Sequence, residues 1–138
     1  MTKEYIGGQE GLWEEKKAEV EGTLSELLAL EERRLNLAKV LQETKELLSR
    51  WEVETLAGIE AEVDDNGKKK FSNEVQRRAE LEKRKSTDEG YQSLKDAAWT
   101  QENELKKLDL QIREKETGLK LGFAWLRFIE AKLRALAA

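Results

Sequence analysis

The sequence has no proline, no cysteine and no histidine, and a single methionine. Without proline it lacks the strongest helix breaker. Without cysteine it has no disulfide, no thiolate nucleophile and no Cys-based zinc site. Without histidine it has no imidazole base, and the usual metal ligand is missing. No apolar run approaches the roughly 20 residues that span a bilayer, and the N-terminus lacks the apolar core of a signal peptide. The expectation is a cytoplasmic protein with no membrane contact. Neither a nucleophile–base pair nor a Gly-rich phosphate loop is present. No enzyme, no cofactor, no metal and no small-molecule substrate are expected.

What is present is helical in composition. Ala, Glu, Leu, Lys and Arg supply 83 of the 138 residues. A share above about 50 % with a 3.5-type period is the composition of coiled coils and long helices. The length is that of one domain. The apolar share of 38 % is low for a globule and suits a structure whose core is a seam.

The seam is clearest in the last third of the chain. Alternating steps of three and four residues connect Tyr91, Leu94, Ala98, Gln101, Leu105, Leu108, Ile112, Lys115, Leu119, Gly122, Leu126, Ile129, Leu133 and Leu136. Such spacing averages 3.5 residues and lines one narrow face of a helix. Only Gln101, Lys115 and Gly122 depart from it by being polar or side-chainless. A helix with one apolar seam must be covered by the rest of the chain or by a second chain.

Residues 1–11, with Gly7, Gly8 and Gly11, read as a flexible arm whose Tyr5 and Ile6 dock on a neighbour. A first long helix is expected over 12–63. Its apolar positions are Trp13, Val20, Leu24, Leu27, Leu30, Leu37, Ala38, Leu41, Leu48, Trp51, Ile59 and Val63. Glu31-Glu32-Arg33-Arg34 interrupt that stripe once. A turn follows over 64–71, marked by Asp64-Asp65-Asn66-Gly67, because Asn and Gly accept positive φ. A short basic helix is expected over 72–86, with Ser72 as N-cap. The second long helix is expected over 88–136. Ser86 and Glu89 have the spacing of a capping box, and Gly90 follows, so a kink is predicted between Ser86 and Gly90.

Two long helices joined by a short turn lie antiparallel. The fold class is therefore all-α: a long antiparallel helical hairpin, a coiled coil with a kinked second arm. Centring the turn at Gly67 places Gln101 opposite Arg34, Lys115 near Glu19, and Gly122 opposite Trp13. Off the seam, Leu121, Trp125 and Phe128 form a second stripe at spacings of four and three. It serves either to pack the wide end of the hairpin against the arm or as a self-association face. The second use predicts a homodimer with a four-helix arrangement at the aromatic end.

Two further stretches carry candidate chemistry. Glu62-x-Asp64-x-Asn66-Gly67 imitates the opening of a calcium loop. Its twelfth position is Asn73 where a bidentate Glu is needed, and three lysines follow at once, so a plain turn is expected. Between residues 68 and 85 eight cations, Lys68, Lys69, Lys70, Arg77, Arg78, Lys83, Arg84 and Lys85, stand against Glu74, Glu80 and Glu82. The window is +5 in a chain of −4, leaving −9 elsewhere. It is a solvated face, or a site for nucleic acid or an acidic protein.

The run Asp65-Asn-Gly-Lys-Lys-Lys-Phe-Ser-Asn-Glu-Val-Gln-Arg-Arg-Ala-Glu-Leu81, with Asp88, Tyr91-Gln92 and the leucine heptads that follow to about Phe128, resembles small helical-hairpin proteins of unknown function encoded in bacterial phages and prophages. Such genes often lie in replication or recombination regions. The resemblance implies an accessory role around DNA, and it brings no catalytic residues with it. The expected function is a non-enzymatic coiled-coil interaction module, an accessory in phage or prophage DNA replication or recombination. The alternative is a structural spacer or assembly coiled coil without nucleic-acid contact.

Overall fold

The computed structural model describes the backbone from residue 3 to residue 138 and the side chains from residue 7 onward. It contains three helices, α1 (Lys3–Ala61), α2 (Glu74–Thr87) and α3 (Glu89–Ala137). Among the described residues there is no strand beyond one isolated bridge between Val63 and Lys69. The chain is an all-α helical hairpin.

Helix α1 begins nine residues earlier than the sequence suggests, at Lys3 instead of residue 12, and runs through Gly7, Gly8 and Gly11. Each glycine costs about 1 kcal/mol relative to Ala, but extending an existing helix adds a hydrogen bond for every residue fixed. The proposed docking of Tyr5 and Ile6 lies outside the described side chains.

The chain divides into two compact units, one of residues 1–35 with 106–138, the other of residues 36–105. In the first, α1 and α3 run antiparallel. Val20 and Leu27 of α1 and Leu108, Ile112 and Ile129 of α3 form its core. Gly122 faces Val20, Lys115 pairs with Glu26, and Arg34 pairs with Asp109. These contacts correct the expected register. Gly122 meets Val20 and not Trp13, Lys115 meets Glu26 and not Glu19, a slide of one heptad in both cases. Arg34, expected opposite Gln101, is held by Asp109; the Gln101 side-chain oxygen is buried without a partner among the described residues.

In the second unit the C-terminal half of α1 packs against α2 and the start of α3. Leu41, Ile59, Leu81, Tyr91 and Ala98 are its buried apolar residues, with Thr44 buried among the polar ones. The Thr44 hydroxyl donates to the Val40 carbonyl at 3.0 Å, which satisfies it inside the helix. Trp51 stacks obliquely on Tyr91, ring centres 4.5 Å apart. Lys45 pairs with Glu102 at 3.3 Å.

The turn is built by one carboxylate. Asp64 Oδ1 accepts from the backbone N–H of Asn66 and of Lys68, at 2.9 and 3.0 Å. Gly67 takes φ of 75°, the left-handed conformation that closes the loop, and its N–H donates to the Asp64 carbonyl. Helix α2 is capped by Asn73, not Ser72: the Asn73 side chain accepts from the Gln76 N–H at 2.8 Å. Ser72 instead donates to the Gln76 side chain through both its N–H and its hydroxyl. The break between α2 and α3 falls at Asp88, within the expected kink. Asp88 has extended backbone (φ −80°, ψ 116°) and its N–H donates to the Arg84 carbonyl, closing α2. Its Oδ1 accepts from the Tyr91 N–H at 2.7 Å, opening α3. Ser86 takes no part in a capping box, because its hydroxyl is spent on the Lys83 carbonyl.

Candidate functional site

Two surfaces carry the residues singled out from the sequence, one in each unit. The basic window lies in the unit of residues 36–105, on the turn and on α2. Three of its eight cations turn inward. Arg84 forms a double hydrogen bond with the Glu62 carboxylate, at 2.8 and 2.9 Å, and a further one with Glu80. Lys85 sits between Glu52 at 2.9 Å and Glu82 at 3.2 Å, with its ammonium 5.8 Å from the Tyr91 ring centre. Arg77 approaches Glu60 at 3.7 Å and donates to the Phe71 carbonyl. These contacts pin α2 to the end of α1.

The electrostatics follow from the pairing. The hydrogen bonds that Arg84 donates to Glu62 and then to Glu80 hold its pKa above its ordinary value. The hydrogen bond to Glu52 raises that of Lys85. Burial raises the Tyr91 phenol, whose hydroxyl donates to Glu52 at 3.3 Å.

The remaining cations face out. Among the described residues Arg78 pairs only with Glu74, one turn away on its own helix, and is 75 % exposed. Lys70 lies over the Phe71 ring, 5.8 Å from its centre. Lys68, Lys69, Lys70 and Lys83 make no salt bridge among the described residues. Arg77 and Arg78, adjacent in sequence, thus point in different directions, as consecutive helix residues must. What the sequence left out is the acidic set before the turn: Glu52 and Glu60 on α1, and Glu62 just past its end, neutralise much of the window. Their position just before the turn was the available signal, since a hairpin folds the residues before its turn onto those after it.

The calcium-like stretch has its oxygens committed elsewhere. Asp64 holds two backbone N–H groups and Glu62 holds Arg84. Among the described residues no group of three or more acidic side chains is arranged to hold a metal ion.

The second surface belongs to the unit of residues 1–35 with 106–138. All fourteen seam positions of α3 are buried or half-buried across the two units, so the inward face of the helix is fully used. Leu121, Trp125 and Phe128 are not part of it. They are 61 %, 52 % and 52 % exposed, and together with Ala124 they line one shallow apolar groove to which no described side chain of α1 contributes. Trp125 and Phe128 meet edge to face at 5.8 Å, and the Lys132 ammonium lies 5.1 Å from the Phe128 ring centre. Phe123 is also half exposed but lines a different groove, with Trp13 and Leu126. The aromatic cluster therefore does not thicken the hairpin's own core at these three residues; it faces solvent.

Among the described residues no helix is long and apolar enough to cross a membrane. Comparison with family models, with curated proteins and with solved structures finds no match.

Proposed function

We propose that this chain is a non-enzymatic coiled-coil interaction module that works by associating with a second copy of itself through the outer face of α3. The observation that carries this reading is the groove of Leu121, Ala124, Trp125 and Phe128, apolar and open on a helix whose inward seam is already filled. Burying a large apolar side chain contributes roughly 1.5–3 kcal/mol, so three such residues, two of them aromatic, are enough to drive association of a small helical protein. Replacing both Trp125 and Phe128 with Glu gives a species of half the mass by light scattering, with the helical circular dichroism retained. A wild-type chain already monomeric at tens of micromolar would contradict the proposal.

A second reading, nucleic-acid contact in an accessory role in DNA replication or recombination, draws on Lys68, Lys69, Lys70 and Lys83. These four make no salt bridge among the described residues, and the outward Arg78 joins them. With Arg77, Arg84 and Lys85 tied to glutamates that precede the turn, such contact is electrostatic and weak. It weakens steeply with salt and shows little sequence preference, as counterion release requires. Fluorescence anisotropy with single-stranded and duplex oligonucleotides separates the two readings: no binding at low salt with tens of micromolar protein leaves the assembly role alone.

A further inference from the structure

Resting on the self-association proposed above, we infer that the second copy docks antiparallel, about a two-fold axis that passes between Ala124 and Trp125. The face that α3 offers is nearly the same read from either end. Its groove residues fall into two pairs equidistant from that axis, Leu121 with Phe128 and Ala124 with Trp125. An antiparallel copy sets each Leu121 against a Phe128 and each Ala124 against a Trp125. A methyl group opposite an indole is the small-against-large match that close packing needs. Two turns out from the axis the same symmetry pairs Gly118 with Ala131. Both are small, so the helices stay close along the whole face. A Cβ built at Gly118 meets nothing within 4 Å, so this side of the helix is open.

Charge chooses the direction. The same face carries Glu114 on the N-terminal side of the groove and Lys132 on the C-terminal side. Neither makes a salt bridge among the described residues. Parallel copies would bring Glu114 to Glu114 and Lys132 to Lys132, like against like. Antiparallel copies bring Lys132 opposite Thr117, one turn from Glu114 of the other copy, and the two-fold axis makes that contact twice. The face from Glu114 to Ala135 is about 33 Å long at 1.5 Å per residue. The result is an isologous interface made by the two α3 helices, each hairpin keeping its own filled seam.

The absence of cysteine makes the test clean. Gly118→Cys and Ala131→Cys are made in separate chains, each otherwise unchanged, and exposed to diamide alone or mixed one to one. In the antiparallel pair the two copies of residue 131 lie about 20 Å apart along the helix, as do the two copies of residue 118, far beyond disulfide reach. Each variant alone therefore stays uncrosslinked. The mixture forms a covalent dimer of one chain of each kind, up to about half of the chains at random exchange between copies. Crosslinking within each variant alone would overturn the antiparallel order in favour of a parallel one. A wild-type dimer by light scattering with no crosslink in any sample would place the interface elsewhere and overturn the two-fold axis. A monomeric wild type overturns the underlying self-association, an outcome the mass measurement reports before any crosslinking is done.

Discussion

At Gly122 the first unit has no room for a methyl group: a Cβ there would lie 2.6 Å from Cγ2 of Val20. The neighbour cannot swing away easily, because a β-branched side chain is stiff at χ1. Gly122→Ala therefore combines an overpacking cost of about 1–3 kcal/mol with a gain in helix propensity of about 1 kcal/mol. A net destabilisation of up to about 2 kcal/mol follows from these two magnitudes, read as a lower urea midpoint. Adding Val20→Ala removes the obstructing methyls, so the double variant is less destabilised than the two single losses added together. Strict additivity would mean that the two residues do not meet. The need for a hole at this position was legible in the sequence, since a glycine interrupts an otherwise apolar seam. The residue that fills it was not. A heptad pattern looks the same after a slide of seven residues, and Trp13 and Val20 occupy equivalent places in it. Only the path of the chain through α2 distinguishes them.

The end of helix α2 is where that path is set. Arg77 and Lys85, eight residues apart on α2, reach Glu60 and Glu52, eight residues apart on α1. The helix thus advances in step with α1, but Lys85 before the break and Tyr91 after it both reach Glu52, so chain is used up there and a register counted from Gly67 comes out one heptad short. That end depends on Asp88, which closes α2 through its N–H and opens α3 through its carboxylate. Asp88→Ala removes that carboxylate and costs about 1 kcal/mol, the usual loss for an N-cap, while Asp88→Asn keeps most of it. Denaturant unfolding of the two variants beside the wild type distinguishes them; equal stabilities would mean that the cap contributes nothing. The existence of the break was readable from Ser86 to Gly90, but the capping residue was not. Ser72, Asn73, Ser86 and Asp88 are all good caps by composition, and the choice falls to the oxygen that reaches the third N–H of the helix that forms. The extent of α1 was missed for a different reason: three glycines near the start signal flexibility locally, and helix propagation overrides them.

For the whole molecule, charge and apolar surface tell different stories. The sequence segregates positive charge into one window, but folding spends three of those cations on glutamates that precede the turn. The segregation in the folded protein is weaker than the linear count implies. The apolar stripe of Leu121, Trp125 and Phe128 keeps its sequence-stated character, because the seam beside it is complete without it. Heptad arithmetic separates the two faces of α3 cleanly, which is why this surface was legible and the pairing of the basic residues was not: ion pairs depend on which long side chains meet across a turn, and periodicity does not encode that. Self-association through α3 is tested most directly by sedimentation equilibrium of the wild-type chain from one to a hundred micromolar. A reversible rise from the monomer mass to twice that mass is expected, absent from the variant with Glu at both Trp125 and Phe128. A wild type that keeps the monomer mass over the whole range would contradict it.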